Sequence, residues 1–457
     1  MGRRKRLPPF ECEIDRLTKK GHGLGQSPFG PPVVVRFAPV GGRVAVVPQG
    51  RKKGQLLARR TALIRPPPDA ATPACPQFLR CGGCVLQEMT LEAQRRAKVD
   101  WGLSQVPSVL EDGPTVHPVR GTEAAYGYRN KVELSFGVRQ WVREAEKDTV
   151  PIEGRFLGFH APGRFDRVVD APTCALVSDA MNRVIDIVRT YTLRPTAPPP
   201  YHPYTHEGFW RHLRLREADD GILAVIFTTS GDPAPVVELA EALQDHAVGV
   251  QWHVNDGVAD VARGEVARTW GRPHLIAKLG PLAVQVSPTS FLQTNTAGCV
   301  VLYDTIGEAI GSSPGATLLD LYCGAGSIGL YLASQLGRVV GVEEVAAAVE
   351  DAKRNAIANG IEATFTAARV EHALEQIVGG EDVRIVVDPP RAGLHPKVAR
   401  ALAQTQAPVL VYVACHPGSL GRDAEILREG GWKATDLWPV DLFPQTGHLE
   451  LVARFVR

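Results

Sequence analysis

The clearest pattern of hydrophobic and polar positions lies in the last third of the chain, where short apolar runs alternate with stretches of helical period. The run 409–414, Val-Leu-Val-Tyr-Val-Ala, is continuously apolar and rich in β-branched residues. Such a run is typical of a strand covered on both faces of a sheet. Strands that alternate with helices predict βαβ units and a parallel α/β sheet. The predicted strands are 317–322, 338–343, 363–366, 383–388, 409–414, 433–437 and 448–455.

Two different patterns precede this sheet and divide the chain into three predicted domains. Residues 9–64 alternate short apolar runs with glycines, which predicts an OB-like β-barrel, and the proline-rich run 65–68 follows as a stiff linker. A helical pattern runs from Leu86 to about Val106, where Pro107 is expected to break it. The mixed segment that follows predicts strands at 130–138, 155–159, 212–216, 221–229 and 248–254. The predicted domains are a barrel at 1–65, a central mixed α+β domain at 66–287 and the α/β sheet at 288–457.

Charge is distributed unevenly along the chain. Residues 1–60 hold 14 Lys+Arg and 3 Asp+Glu, a net charge of +11, whereas all 457 residues carry only +2, so the remaining 397 carry −9. A basic head on an acidic body favours a polyanionic partner over a tail that only aids solubility. Aromatic and cationic residues alternate at 126–131 and 209–212. This suits stacked bases beside phosphates, and it equally fits a solvated loop with aromatic anchors.

The N-terminal segment and the hydropathy of the chain predict a cytoplasmic protein. No apolar run approaches the roughly 18 residues that a membrane-spanning helix needs. The basic start, Met-Gly-Arg-Arg-Lys-Arg, is not followed by the apolar segment of a secretory signal. We therefore expect no membrane partner, and no obligate protein partner is evident from the sequence.

Three cysteines lie on one short loop. Cys75, Cys81 and Cys84 have the spacing C-x5-C-x2-C, with two glycines between the last two. In a cytoplasmic protein this favours a metal centre over disulfides or three unrelated thiols. Four sulfur ligands suit either zinc or an iron–sulfur cluster. Cys174, also in a turn-like context, is the best candidate for the fourth ligand.

A glycine-containing turn follows the first strand of the predicted sheet. Gly324 and Gly326 form G-x-G, and Gly329 completes G-x-G-x-x-G. Glycines there let a cofactor approach the backbone, and Glu343, 19 residues after Gly324, suits a pair of ribose hydroxyls. The pattern predicts an adenosyl cofactor and does not distinguish a nicotinamide dinucleotide from S-adenosylmethionine.

Four ionisable side chains follow or begin strands at the predicted ligand-binding edge. Cys415 comes directly after the run 409–414, at the edge where open α/β sheets hold their ligands. We interpret it as a nucleophile, against the alternative of a buried thiol. Asp388 ends another strand and is either a site residue or the cap of a turn. Glu450 and His448 begin the last strand and are proton-transfer candidates or ordinary exposed strand residues.

Together these residues form a recognisable set of motifs. The motifs are Cys75/Cys81/Cys84, Phe291-Leu292-Gln293-Thr294-Asn295, Asp320-Leu321-Tyr322-Cys323-Gly324, Gly341-Val342-Glu343, Asp388-Pro389-Pro390-Arg391, Tyr412-Val413-Ala414-Cys415-His416-Pro417 and His448-Leu449-Glu450. In order and approximate spacing they resemble the RNA uracil-C5 methyltransferase family. The N-terminal barrel is similar to the TRAM domain found in part of that family, so the resemblance covers nearly the whole chain.

The resemblance implies the chemistry of the site. It implies a Rossmann-like methyltransferase sheet at 288–457 and S-adenosylmethionine as cofactor. It implies a nucleophile at Cys415 and a base at Glu450. The residues that it places around the cofactor and the uracil are Gln293, Tyr322, Glu343 and Asp388, beside the turn glycines Gly324 and Gly326. It also implies a 4Fe-4S cluster on Cys75, Cys81, Cys84 and Cys174.

The expected reaction is formation of 5-methyluridine in RNA, with ribosomal RNA favoured by the TRAM-like barrel and transfer RNA as the alternative. A catalytically inactive RNA-binding iron–sulfur protein, an amino-group methyltransferase and a nicotinamide oxidoreductase are further alternatives, and all leave Cys415 without a role. The chain departs from the family at Ala414-Cys415-His416-Pro417, where Ser-Cys-Asn-Pro is usual, and near Ser327, where Asn is frequent. The first departure places His416 beside the nucleophile as a potential helper in its activation.

Overall fold

The computed structural model describes residues 7–377 and 382–457. The basic residues Arg3 to Arg6, which contribute to the charge of the head, lie outside the described residues. Within the described ranges no helix has both the length and the apolar character needed to cross a membrane.

The first six strands form one curled sheet. They are Phe10–Glu13 (β1), Arg16–Leu17 (β2), Gly23–Gln26 (β3), Pro32–Val35 (β4), Arg43–Lys52 (β5) and Gln55–Arg65 (β6), in the order β1-β5-β6-β4-β3-β2. Only Ile14 and Asp15 separate β1 from β2, so the two edge strands of the sheet are continuous in the chain. The Asp15 amide donates a hydrogen bond to the Leu24 carbonyl of β3 at 2.9 Å, which brings the two edges together. Alternate side chains such as Val33, Val35 and Val44 fill its interior.

A helical segment links this barrel to the rest of the chain. It comprises helices Leu91–Leu103 (α1) and Pro107–Leu110 (α2), followed by two short strands, Thr115–Val116 (β7) and Arg120–Gly121 (β8). Thr90 caps α1, since its hydroxyl accepts a hydrogen bond from the Ala93 amide. Pro107 ends the helical pattern as expected, but it also begins α2, because proline is well accommodated in the first turn of a helix.

The middle of the chain forms a seven-stranded sheet with two helices. Its elements are Lys131–Arg139 (β9), Glu153–His160 (β10), Val168–Asp170 (β11), Asp179–Thr192 (α3), Trp210–Ala218 (β12), Gly221–Thr228 (β13), Ala234–Leu243 (α4), Gly249–Val254 (β14) and Glu265–Gly271 (β15), with a 3₁₀ turn at Glu144–Glu146. The strand order is β11-β10-β9-β12-β13-β14-β15. The sequence did not predict β11 or β15. The former has three residues, and the latter is an almost fully exposed edge strand without an apolar face.

The C-terminal part is a nine-stranded sheet preceded by a hairpin. Its elements are Leu275–Leu279 (β16), Leu282–Val286 (β17), Thr296–Ile310 (α5), Thr317–Leu321 (β18), Ser327–Leu332 (α6), Arg338–Glu343 (β19), Ala346–Ala358 (α7), Ala363–Ala367 (β20), Val370–Ile377 (α8), Val383–Val387 (β21), Pro396–Gln404 (α9), Val409–Ala414 (β22), Pro417–Glu429 (α10), Lys433–Asp441 (β23) and Glu450–Val456 (β24). The sheet order is β20-β19-β18-β21-β22-β24-β23-β7, and β8 also pairs with β23. Every residue of β22 is buried, as its apolar run predicted.

The sheet is not wholly parallel, which corrects the expectation from the sequence. Strand β24 runs antiparallel to both β22 and β23. Residues 442–449 join β23 to β24, and eight residues are too few for a parallel crossover. The consequence matters for function, because the first residue of β24 now lies at the edge where β18, β19, β21 and β22 end.

Candidate active site

One large cavity opens at this edge and is shared by all three parts of the chain. Its volume is about 890 Å³. Cys415 and His416 lie on its wall, together with the loop residues Thr446 to Leu449 that precede β24. We call it the central cavity.

The walls of the central cavity carry many cations. The basic residues on it are Lys19, Lys20, Arg36, Arg129, Lys131 and Arg391. The first three come from the barrel, the next two from the central segment and the last from the C-terminal sheet. Such a wall attracts a polyanion. Part of the excess positive charge of the N-terminal segment therefore lies on the concave surface of the site.

Cys415 is partly exposed to this cavity. Strand β22 ends at Ala414 and α10 begins at Pro417, which leaves Cys415 in the two-residue turn between them. Burial, followed by the charges of Glu450 and Asp388, raises the pKa of the Cys415 thiol to about 12, against the opposing influence of Arg391. The thiol is therefore protonated near neutral pH in the free protein.

Two carboxyl groups influence Cys415 from neighbouring strands. Asp388 follows β21, and Glu450 is the first residue of β24 and is buried. Burial raises the pKa of Asp388 to about 7. Burial and the charge of Asp388 raise the pKa of Glu450 to about 8, with Arg391 opposing. Carboxyl groups with such pKa values can exchange protons near neutral pH, which is the property of a general base.

Glu450 reaches this position because of the antiparallel pairing. Leu451 pairs with Ala414 across the β22–β24 ladder. The next residue along β22's direction is Cys415, and the preceding residue of β24 is Glu450. The sequence identified both residues and placed them near one edge, but only the direction of β24 makes them neighbours.

The imidazoles around Cys415 are neutral near pH 7. Burial is the main cause of a lowered pKa in His416, and it lowers the pKa of His448 and of His22 to about 4. Lys19, from the barrel, is the next contributor for His416. The sequence analysis did not identify His22 or Lys19, because nothing local to residues 19–22 indicates that this turn faces the C-terminal sheet.

The predicted cofactor turn leaves one of its glycines open and packs the other. Gly324 has a left-handed φ of +54°, and the space that a β-carbon would occupy is open. The Glu343 carboxylate ends β19 and accepts hydrogen bonds from the amides of Gly324 (3.2 Å) and Val345 (2.8 Å). Gly326 instead packs closely, since a β-carbon there would lie 2.8 Å from the Phe365 ring. The turn therefore exposes Gly324 and fixes Gly326.

A buried carboxyl group, to which the sequence pattern assigned no role of its own, lies beside this turn. Asp320 accepts a hydrogen bond from the Gly329 amide at 2.9 Å. Within the described part of the chain, its other oxygen is buried without a hydrogen-bond partner. Burial raises the pKa of Asp320 to about 7. An unsatisfied acceptor at the cofactor turn is a position for a ligand donor.

Two further cofactor residues were predicted, Tyr322 and Gln293. Tyr322 has a left-handed φ of 64°, which is uncommon for a residue other than glycine. Burial raises its pKa to about 12, with Glu371 next in influence. Gln293 lies just before α5, and its carbonyl accepts a hydrogen bond from the Asn130 side chain at 2.9 Å. Neither residue lines the central cavity.

The four cysteines predicted to bind metal all line the central cavity. Cys75, Cys81, Cys84 and Cys174 are partly buried there. Burial is the main cause that raises the pKa of Cys81 to about 11 and that of Cys84 to about 12, and the other thiols add to it. In residues 7–377 and 382–457, however, no three or more Cys, His, Asp or Glu side chains are arranged so that they could hold a metal ion.

The chain is similar to known RNA methyltransferases over almost its full length. A family model described as tRNA (uracil-5-)-methyltransferase matches residues 281–454. An uncharacterized RNA methyltransferase of Chlorobaculum tepidum is 36% identical, with 98% of this chain and 96% of the relative covered. A tRNA (uracil(54)-C(5))-methyltransferase of Pyrococcus horikoshii is 31% identical, over 93% of this chain and 95% of that protein.

The fold is also similar to a solved structure. This is the tRNA (uracil-54, C5)-methyltransferase of Pyrococcus abyssi in complex with S-adenosyl-L-homocysteine, with a TM-score of 0.75 and 25% sequence identity. The similarity covers 98% of this chain and 100% of that one.

Proposed function

Because this chain belongs to the RNA uracil-C5 methyltransferase family and is an S-adenosylmethionine-dependent RNA methyltransferase, we propose that it forms 5-methyluridine through a covalent bond between Cys415 and uracil C6. The observation that carries the proposal is the convergence of a cavity-facing thiol with two carboxyl groups of raised pKa. Neither an RNA-binding protein nor an amino-group methyltransferase needs this combination.

The chemistry explains why a thiol is needed. Uracil C5 is too weakly nucleophilic to accept a methyl group directly. When the Cys415 sulfur adds to C6, C5 becomes an enolate carbon that can form a bond to an electrophilic methyl group. S-adenosylmethionine, when bound, supplies that methyl group. Removal of the C5 proton then restores the double bond and releases the Cys415 thiolate.

Each proton transfer has a candidate group in the site. With a pKa of about 12, the Cys415 thiol must lose its proton as it attacks rather than beforehand. The neighbouring neutral imidazole of His416 is our hypothesis for this step. Glu450 in its carboxylate form is the proposed acceptor of the C5 proton, since its pKa of about 8 makes it a stronger base than an ordinary carboxylate.

The proposed cofactor residues fit their roles to different degrees. Glu343 is suited to the ribose hydroxyls, and the open face of Gly324 leaves room for the cofactor against the backbone. The charge of Asp388 acts both on Asp320, beside the cofactor turn, and on Cys415. The roles of Gly326, Gln293 and Tyr322 rest on the family resemblance.

RNA is proposed to bind across the three predicted domains, 1–65, 66–287 and 288–457. The cations from all three parts of the chain that line the central cavity support this. A target uridine must leave its stack to reach Cys415, at a cost of a few kcal/mol. Phosphate contacts to these cations would offset that cost. A TRAM-like role of the barrel in RNA binding is part of this proposal.

The substrate RNA is tested by mapping 5-methyluridine. The sequence favoured ribosomal RNA, but two of the relatives, from Pyrococcus horikoshii and Pyrococcus abyssi, are named as methyltransferases of uracil-54 in transfer RNA. We therefore propose transfer RNA first and ribosomal RNA second. RNA from cells lacking the protein should lose 5-methyluridine at one position, which re-expression of the wild-type chain restores. If transfer RNA is unchanged and a ribosomal position is lost, the sequence interpretation is correct instead. No change in either RNA contradicts the proposed function.

A 4Fe-4S cluster on Cys75, Cys81, Cys84 and Cys174 is proposed separately. Four thiols on one cavity wall are a suitable donor set, although their side chains would have to converge further to bind it. The cluster would tie the 75–84 loop to Cys174, and no catalytic step depends on it. Protein purified without oxygen should contain about four iron atoms and four sulfides per chain. Cys81→Ser should lose both, and Cys12→Ser should keep them. One zinc atom per chain would contradict the cluster.

A further inference from the structure

An unusual pair of glutamines connects helix α1 to the loop before the proposed base. The Gln94 side-chain oxygen accepts a hydrogen bond from the Gln445 amide at 2.8 Å. The Gln94 side-chain nitrogen donates to the Gln445 side-chain oxygen at 3.0 Å and to the Met89 carbonyl at 2.8 Å. Gln94 is 0% and Gln445 3% exposed, so neither hydrogen bond competes with water.

Gln445 adopts a conformation that the surroundings must hold. Its φ is 68°, in the left-handed region that residues with a β-carbon rarely occupy. Its carbonyl accepts hydrogen bonds from the amides of Val85 (2.8 Å) and Leu86 (3.2 Å). The amide, the carbonyl and the side-chain oxygen of Gln445 are therefore all bound by residues between 85 and 94, outside the C-terminal sheet. Strained residues that are fixed in this way are concentrated at functional sites.

The same face of α1 holds both ends of the 442–449 loop. Lys98 is buried and donates to Asp441 Oδ1 at 2.8 Å and to the Phe443 carbonyl at 3.0 Å. Gly102 lies against Leu449, since a β-carbon at Gly102 would be 2.7 Å from a Leu449 methyl carbon. Residues 94, 98 and 102 are four apart, which places them on one face of the helix. Helix α1 therefore lies along the segment from Asp441 to Leu449 and contacts it at both ends.

The loop fixes the position of Glu450. Glu450 directly follows Leu449 and pairs with Val440 across the hairpin. The loop also carries His448, whose ring nitrogen Nδ1 lies 3.5 Å from the Arg391 guanidinium. The charge of Arg391 in turn lowers the pKa of Glu450, against the effect of burial. A change in the loop at Gln445 would thus displace the Glu450 carboxyl group and the Arg391 guanidinium relative to Cys415.

We propose that Gln94 is a positioning residue for the removal of the C5 proton, acting through Gln445 on the placement of Glu450. This inference rests on the proposed function. It assigns to α1, which lies outside the C-terminal sheet, a part in one specific chemical step. If Gln94 only stabilised the fold, its replacement would slow all steps of the reaction alike.

The test uses Gln94→Met, which keeps the length of the side chain and removes its hydrogen bonds. Displacement of Glu450 should slow proton removal more than thiol addition, so the fraction of enzyme covalently attached to RNA during turnover should rise several-fold. We expect kcat to fall by about ten- to a hundredfold, as small misplacements of catalytic groups do. The Kd values for RNA and for S-adenosylmethionine should change by less than about twofold. The KM for RNA should fall together with kcat, because the slowed step follows methyl transfer.

A second substitution provides rescue. Gln445→Gly in the Gln94→Met background should restore much of kcat and reduce the adduct, because glycine adopts a left-handed φ without steric cost. The matched control is Gln105→Met, an exposed glutamine just beyond α1 that contacts Ser104. It should match the wild type in kcat and in adduct. If Gln94→Met does not fold, Gln94→Glu, which keeps the acceptor for the Gln445 amide, replaces it with the same expectation.

The results separate this inference from the proposed function. Glu450→Gln serves as the reference that accumulates adduct. If it does so and Gln94→Met loses activity without accumulating adduct, Gln94 is structural and the inference is wrong. If Glu450→Gln forms no adduct at all, the covalent mechanism fails and the inference fails with it. Adduct accumulation in Gln94→Met that Gln445→Gly reverses supports it.

Discussion

Replacement of Cys415 by alanine is expected to reduce methyl transfer to RNA by at least about 10⁴-fold, in line with the loss of a nucleophile in other covalent enzymes. Without the Cys415 sulfur bound at C6, C5 of the uracil does not become nucleophilic. Binding of S-adenosylmethionine should stay within about twofold of the wild type, because Gly324 and Glu343 do not depend on the thiol. Transfer of a labelled methyl group and calorimetric titration measure the two quantities.

The control for this substitution is Cys12→Ala, which removes a buried thiol from the barrel core, away from the central cavity. It should leave methyl transfer unchanged. If Cys415→Ala still methylates RNA, the covalent mechanism is wrong and an amino-group methyltransferase becomes the better interpretation. If both the wild type and the variant bind RNA without methylating it, the protein is a non-catalytic RNA-binding member of the family.

His416→Asn, which restores the residue usual in the family, should alter the dependence of adduct formation on pH if His416 accepts the thiol proton.

Replacement of Glu450 by glutamine is expected to trap the enzyme on its RNA. The amide has the shape of the carboxyl group but cannot accept a proton, so addition and methylation proceed while proton removal slows by about 10²- to 10⁴-fold. A covalent complex of protein and RNA, stable in denaturing gels and carrying the transferred methyl group, should therefore accumulate. Glu429→Gln removes a carboxylate from an exposed position at the end of α10 and should form no more adduct than the wild type.

The dependence of proton removal on pH also tests the role of Glu450 as the base. Burial and the charge of Asp388 raise the pKa of Glu450 to about 8, and only the carboxylate form accepts a proton. In the wild type the rate of proton release from C5 should therefore rise as the pH increases through about 8 and decline below it. In Glu450→Gln this rise should be absent. A wild-type rate that falls with rising pH over the same interval would contradict a carboxylate base.

The sequence determined a large part of this protein. The predicted strands from 317 to 414 match β18 to β22 closely, and the strand that precedes Cys415 is buried throughout, because period and apolar runs are local properties that the chain carries itself. The cofactor turn was predicted for the same reason, since left-handed glycines and a following helix are specified within a dozen residues. The family was also identified from short motifs in the correct order, and the comparisons confirm it.

Only the tertiary structure decided which distant residues meet. The antiparallel direction of β24 brings Glu450 beside Cys415, and short edge strands from residues 115–121 join the C-terminal sheet. Lys19 and His22 of the barrel reach the same cavity as Cys415. Gln94 and Gln445 are 351 positions apart, and neither carries a local signal of a shared site. Buried polar groups are almost always hydrogen-bonded, and the partner can lie anywhere in the sequence. Which partner is available depends on how whole helices and sheets pack against each other. The sequence therefore indicated the groups that we propose to react, and the packing of the chain brings them to one edge of the C-terminal sheet.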